Sequence, residues 1–247
     1  MADVTTQVIA HRGNSSVAPE NTMAAFESAW RAGADVIELD IQLSSDGRAV
    51  VIHNDTVEET TDGSGPVSSR TAAQLAAFDA GSWFSEAYAG QRIPLLTEVL
   101  AWMGPRPPLE LLLEFKGHWD AAPIDAVVRD IEAAELVERT VMQSFSVPTV
   151  HALADVAPDI RRGLLINTFD ASTFSLTAQV RAAQCNPSGQ LLLDQPDLLD
   201  RIRERGMQAM VWTVNEPEHW AALIRSGADG IITDRPDALR GFLAAQP

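Results

Sequence analysis

Four short segments carry side chains whose types and spacing suit proton transfer and anion binding. His11-Arg12-Gly13 closes the apolar run Val8–Ala10. A histidine there exchanges protons near neutral pH, and an arginine can clamp an oxyanion through two parallel hydrogen bonds. The glycine permits a tight backbone turn. In Glu38-Leu39-Asp40 the acidic residues are two apart, so on a strand they share one face while Ile37, Leu39 and Ile41 form the other. Two carboxylates side by side repel each other unless a cation neutralises them. Oxygen ligands favour Mg²⁺ or Ca²⁺ for that purpose; the alternative is a structural network with arginines. Glu114-Phe115-Lys116 repeats the pattern, with Glu114 and Lys116 on one face and Leu113 and Phe115 on the other. Glu114 can complete a three-carboxylate site, and Lys116 can meet a phosphate as a point charge. Lys116 is the only lysine of the chain. In His53-Asn54-Asp55 a second histidine becomes available, and two facing histidines allow one to remove a proton while the other donates one.

These segments need elements that bring them together. Ser44-Ser45-Asp46-Gly47 is a turn between two β-type runs. A hairpin of Leu39–Leu43 with Ala49–His53 would carry His53 back toward Glu38 and Asp40. Further strand-like runs are Val36–Ile41, Leu109–Phe115, Thr140–Phe145, Arg161–Ile166, Gln184–Pro187, Gln208–Val214 and Gly230–Thr233. Helical patterns fall between them, among them Thr22–Trp30, Leu96–Trp102, Ala122–Ala134, Pro196–Glu204 and Pro217–Arg225. With the first run there are eight strand units alternating with helices, which predicts parallel strands and a (β/α)8 barrel over residues 1–247 as a single domain. The segments RAGADVIELD (31–40) and RSGADGIITD (225–234) are alike, each with a glycine where a helix gives way to a strand. Residues 44–94 break the rhythm and read as a small insertion after the second barrel strand, a place where binding loops or lids often form.

Composition narrows the classes further. The chain has 247 residues, 46% of them hydrophobic, with a formal net charge of −16. Such acidity argues against nucleic-acid binding and against an electrostatic hold on anionic membranes. The single cysteine, Cys185, excludes an internal disulfide and a multi-cysteine zinc site. No apolar run is long enough for a transmembrane segment, and residues 1–10 lack the basic start and apolar stretch of a signal peptide. A cytoplasmic enzyme, monomer or homodimer, is the expectation. No nucleophile elbow, dinucleotide fingerprint or Walker loop occurs. His118 is placed to line a rim; His151 and His219 read as surface or packing residues.

The combined motifs resemble the glycerophosphodiester phosphodiesterases. His11-Arg12-Gly13 with Pro19-Glu20-Asn21-Thr22, Glu38-Leu39-Asp40, His53, Glu114-Phe115-Lys116, Asn186-Pro187-Ser188, Trp212-Thr213-Val214-Asn215 and the closing segment Gly227–Pro236 occur in the family's order, from about residue 8 to residue 240. The resemblance implies a (β/α)8 TIM barrel with a small insertion. It implies one divalent cation, Mg²⁺ or Ca²⁺, on Glu38, Asp40 and Glu114. His11 and His53 would be general acid and base, Arg12 and Lys116 would bind phosphate, and Trp212 would contact substrate. The substrate would be a glycerophosphodiester such as glycerophosphocholine or glycerophosphoethanolamine, giving glycerol 3-phosphate and an alcohol. One departure is that Asn54 stands where the family more usually places an aspartate directly after the histidine, so the aspartate falls at Asp55. Two other readings share the same residues. A lysophospholipase D could use Trp83, Phe84 and Tyr88 of the insertion to hold an acyl chain. A non-catalytic barrel binding phosphorylated ligands would normally have lost one of the catalytic residues.

Overall fold

The computed structural model describes residues 6–245; residues 1–5, the start of the segment read above as no signal peptide, lie outside it. The chain runs β1 (Gln7–His11), α1 (Met23–Arg31), β2 (Val36–Leu43), β3 (Ala49–Val51), α2 (Ala72–Leu75), α3 (Leu96–Met103), β4 (Glu110–Phe115), α4 (Ala121–Ala133) and β5 (Thr140–Ser144). It continues through α5 (Val147–Val156), β6 (Arg161–Ile166), α6 (Ala171–Gln179), β7 (Gln184–Pro187), α7 (Gly189–Asp194), α8 (Leu198–Arg203), β8 (Met210–Val211), α9 (Pro217–Arg225), β9 (Gly230–Thr233) and α10 (Pro236–Ala244). The hydrogen-bonded order β7-β6-β5-β4-β2-β1-β9-β8 is parallel throughout. Parallel bridges Gln184↔Gln208 and Ser188↔Trp212 join its two ends. The result is a nearly closed eight-stranded (β/α) barrel with helices between successive strands, as the alternation predicts. No helix among the described residues is long and apolar enough to cross a membrane.

Side-chain alternation divides the work of each strand. Ile37, Leu39 and Ile41 of β2 face outward and pack with Phe26 of α1, Val99 and Leu100 of α3, and Ile124 of α4 in one buried layer. Inside the barrel, Ile9, Val36, Leu112, Val141, Met210 and Ile232 form an apolar plug. Two residues further along the same strands, on the same face, stand His11, Glu38, Glu114, Gln143, Trp212 and Asp234. The polar groups thus sit above the plug at the C-terminal ends of the strands, the end on which barrel active sites are built.

Helix α1 starts where Thr22 accepts a hydrogen bond from the Ala25 N–H, a side-chain cap for the first turn. Gly13 is required for its approach: φ is +86°, and a Cβ there would lie 2.6 Å from the Ala25 carbonyl carbon. The two similar segments share a physical task. Gly33 and Gly227 both take positive φ after a helix, and the aspartate two residues on accepts a backbone N–H from the neighbouring strand or the residue just before it: Asp35 from Val8 of β1, Asp229 from Ala209 ahead of β8.

The strand expected over Gln208–Val214 is reduced to Met210–Val211. Side chains intercept its ladder: Asp229 accepts from the Ala209 N–H, and Asn186 Oδ1 accepts from the Met210 N–H at 3.0 Å. In the insertion, β2 and β3 form the expected hairpin, with Ile41 opposite Val51 and Leu43 opposite Ala49. Val50, Ile52, Val57, Val67, Leu75 and Ile93 then give the insertion a small core of its own.

Candidate active site

His11, Arg12, Glu38, Asp40, His53, Glu114, Lys116 and Trp212 come together at one barrel mouth. A cavity of about 120 Å³ is lined by His11, Arg12, Glu38, His53, Glu114 and Lys116, with Phe145, Leu165 and Trp212 on its apolar side. A larger groove of about 540 Å³ runs between α7, α8 and α9 and shares only Trp212 and Thr213 with it. The clustered carboxylates and cations belong to the smaller cavity.

The carboxylates come first because they are the most costly to bury. Glu38, Asp40 and Glu114 are buried, and each offers an oxygen within 4.8 Å of the others. Register explains the meeting: Asp40 pairs with Glu114 across β2 and β4, and Glu38 lies one inward position before Asp40. Burial, then the charges of Asp40 and Glu114, push the Glu38 carboxyl well above its ordinary range. Burial and Asp40 likewise raise Glu114 to about 7, against the opposing pull of Lys116. Burial also works against Asp40, but Arg12, His53, Lys116 and the Asn21 amide together hold it below its ordinary value.

The cations of the mouth are spent unevenly. Arg12 Nη1 bonds Glu20 at 2.9 Å, and its Nε lies 3.2 Å from Asp40 Oδ2 without hydrogen-bond alignment. Lys116 Nζ is 2.8 Å from Glu114 and 3.7 Å from Asp40. Glu38 accepts a hydrogen bond from the Arg12 backbone N–H at 3.1 Å and, among the described residues, pairs with no Lys or Arg head group. A buried all-oxygen cluster with one uncompensated carboxylate fits a hard divalent cation. The arginine network weighed as the alternative is real at Asp40 and leaves Glu38 unbalanced.

A stability prediction follows. Raised carboxyl groups hold protons in the native state that the unfolded chain releases. The metal-free protein is therefore expected to lose stability as pH rises from the ordinary 4.5 of Glu114 through about 7. Calorimetry without metal should give a lower Tm at pH 8 than at pH 5.5. A divalent ion at about a hundred times its Kd should restore about 2.7 kcal/mol, roughly 5–10 °C for a chain of this size. A pH-independent Tm that ignores added metal would contradict the cluster's electrostatics.

The two histidines are held differently. His11 Nδ1 lies 2.6 Å from Asp234 Oδ1. His53 Nδ1 lies 2.5 Å from Asn54 Oδ1. The residue that meets His53 is thus Asn54, while the Asp55 carbonyl accepts the Val67 N–H. Gln42 Nε2 donates to the His53 carbonyl at 2.9 Å and so fixes the segment carrying the ring. Burial lowers the His53 pKa, helped by Arg12 and Lys116 and opposed by Asp40.

Several supporting residues were given no task from sequence. Asn21, at φ +55°, donates to Asp40 Oδ2 at 3.0 Å; its signal was an asparagine, which tolerates that conformation, inside Pro19–Thr22. Asn186 gathers the far wall, donating to Gln143 Oε1 at 2.8 Å and accepting Trp212 Nε1 on its carbonyl at 2.8 Å. Trp212 meets Phe145 edge to face at 5.2 Å.

Other candidates lie apart. His118 does not line the cavity; its side chain is 62% exposed, beside Asp120. His219 borders the outer groove. Trp83, Phe84 and Tyr88 stack edge to face on one another, and the Tyr88 hydroxyl donates to the Val17 carbonyl at 2.7 Å. None of the three lines the catalytic cavity. They tie the insertion to the loop after β1.

A parallel (β/α)8 barrel whose mouth combines two histidines, a buried carboxylate cluster and two cations defines a hydrolase for an anionic ester. Residues 11–238 match the model of the glycerophosphoryl diester phosphodiesterase family, and the chain belongs to that family. It is 36% identical over 236 residues to the glycerophosphodiester phosphodiesterase of Caldanaerobacter subterraneus subsp. tengcongensis, covering 95% of this chain and 96% of that one. The glycerophosphodiester phosphodiesterase 1 of Mus musculus is 36% identical over 238 residues, covering 84% of this chain and 71% of that one. Among solved structures, a phosphodiesterase of Oleispira antarctica in complex with the product sn-glycerol-3-phosphate superimposes with a TM-score of 0.89 at 28% identity, covering 97% of each chain. The activity is that of a glycerophosphodiester phosphodiesterase.

Proposed function

We propose that the protein, as one catalytic domain over residues 1–247, hydrolyses small glycerophosphodiesters such as glycerophosphocholine and glycerophosphoethanolamine to glycerol 3-phosphate and the free alcohol. The observation that carries this reading is the convergence of His11, His53, Arg12, Lys116 and the carboxylate cluster on one cavity of about 120 Å³. Glu38, Asp40 and Glu114 would hold one divalent cation, Mg²⁺ or Ca²⁺. When bound, it supplies charge neutralisation for the phosphodiester as negative charge builds on the phosphoryl oxygens.

The remaining chemistry falls to this chain's own side chains. Lys116, half-buried beside Glu114, and Arg12, braced by Glu20 and Asp40, present fixed positive charge to the phosphate. Burial, helped by the two cations and opposed by Asp40, lowers the His53 pKa, which suits the ring to take the proton of the attacking hydroxyl. His11, facing the Asp234 carboxylate, is placed to give a proton to the departing alcohol oxygen. A new P–O bond forms from water or from the substrate's own glycerol hydroxyl, and the P–O bond to the alcohol breaks. In the second case water opens the cyclic phosphate, and the histidines exchange tasks. Phe145, Leu165 and Trp212 offer the carbon skeleton of glycerol an apolar wall.

The position of the insertion's aromatics, outside the cavity, favours compact headgroup diesters over a lysophospholipase D preference. Glycerophosphocholine and its lyso-lipid counterpart should be assayed side by side for released choline. The expected result is at least a tenfold higher kcat/KM for the glycerophosphodiester, about 1.4 kcal/mol in transition-state binding. Turnover of the lyso-lipid alone would overturn the substrate reading.

A further inference from the structure

We propose that Asp234 is a positioning residue: clamped by Asn215 and Ser15, it keeps the His11 proton on Nδ1 and so leaves Nε2 as the only ring atom that exchanges protons with substrate. The inference rests on the catalytic reading of His11 for its kinetic part and on geometry alone for the rest. Asp234 does not line the catalytic cavity; it borders a neighbouring cleft that shares His11 and Arg12 with it.

The donor and acceptor count leaves one arrangement. Asn215 Oδ1 accepts from the Asp234 backbone N–H at 2.9 Å and from the Thr233 hydroxyl at 2.9 Å. That fixes the orientation of the Asn215 amide, because an amide nitrogen cannot accept from a backbone N–H. Its Nδ2 must then face Asp234 Oδ2, which it does at 2.7 Å. The other carboxylate oxygen, Oδ1, meets His11 Nδ1 at 2.6 Å and the Ser15 hydroxyl at 3.1 Å. Ser15 Oγ also lies 2.9 Å from the His11 carbonyl, so it spans the same pair. Burial works against the charge of Asp234, but the bonds from His11, Asn215 and Ser15 bring it down to about 2. At neutral pH the group facing His11 is therefore an acceptor only, and His11 Nδ1 must donate.

The same count predicts an unusual ranking of variants. In Asp234→Asn the side-chain carbonyl has one fixed donor to satisfy, Asn215 Nδ2, and turning toward it aims the new NH₂ at His11 Nδ1. Nδ1 must then accept, the proton moves to Nε2, and the imidazolium is disfavoured. In Asp234→Ala the ring is unheld but free to adopt either tautomer. The isosteric variant is thus expected to be slower than the truncated one, whereas a purely structural role for Asp234 would give the opposite order.

The experiment uses the full-length protein with Mg²⁺, steady-state kinetics on glycerophosphocholine, and ¹⁵N NMR of the His11 ring without substrate. We expect kcat of Asp234→Asn to fall by about 10²–10⁴-fold, with KM changed by less than about threefold as befits a loss specific to the transition state. Asp234→Ala should retain more activity than Asp234→Asn. The neutral His11 ring of the parent protein should carry its proton on Nδ1, and that of Asp234→Asn on Nε2. An Nε2 proton in the parent protein, or Asp234→Asn outpacing Asp234→Ala, would overturn the proposal. The parent-protein spectrum decides the tautomer even where a variant fails to fold. If no glycerophosphodiester is turned over, the functional reading fails separately, and the spectrum still tests the positioning of His11.

Discussion

Replacing either His11 or His53 by alanine should lower kcat on glycerophosphocholine by about 10²–10⁴-fold, the usual contribution of a positioned acid or base. Both rings line the catalytic cavity, and each is oriented through Nδ1 by a separate partner. Neither ring carries the fold: both are half-buried, while the strands beneath them are held by the apolar plug of Ile9, Val36, Leu112 and Ile232. Melting temperatures of the variants should therefore stay near that of the parent. Because the two rings act on one reaction coordinate, the double variant should be little slower than the worse single one. A kcat within about threefold of the parent for either variant would remove that histidine from the mechanism.

Glu38→Gln should have two effects of opposite sign. In the metal-free protein it removes a buried charge that burial, Asp40 and Glu114 all disfavour. Its Tm at pH 8 is therefore expected to exceed that of the metal-free parent, as when a poorly compensated buried ion is replaced by a neutral group of the same shape. Activity should move the other way. Changes in groups that merely support metal ligands weaken binding 10–100-fold, and loss of a ligand oxygen itself should exceed that range. The thermal shift given by Mg²⁺ or Ca²⁺ should disappear with it. A variant that keeps both the shift and the activity would show that the cation, if any, sits elsewhere.

Much of this was legible in the sequence because strand alternation is a strong constraint. Spacing of two placed Glu38 with Asp40 and Glu114 with Lys116, and the turn at 44–47 returned His53 to them. What spacing could not show is the set of groups that orient the reacting ones. His11 and Asp234 are 223 positions apart and meet only because β1 and β9 are neighbours in the closed barrel. The Asp234 segment is legible as a motif, but nothing local to it indicates a histidine. Asn54 stands where the family more usually has an aspartate; in three dimensions its side-chain Oδ1 meets the His53 ring. The shortened β8 was likewise hidden, since its ladder is interrupted by Asp229 and Asn186 from other elements.

The net charge of −16 also takes a different meaning once the mouth is built. The cations lining the cavity are Arg12 and Lys116, and its walls limit screening by water. With a divalent ion on the three carboxylates the local balance favours an anion, whatever the charge of the outer surface.

The most direct test follows glycerol 3-phosphate release from glycerophosphocholine by ³¹P NMR, in excess chelator and again after Mg²⁺ or Ca²⁺ is returned. The predicted result is no glycerol 3-phosphate in chelator and full recovery with metal, with Glu38→Gln inactive in both. Undiminished release in chelator by protein verified to be metal-free would contradict the account.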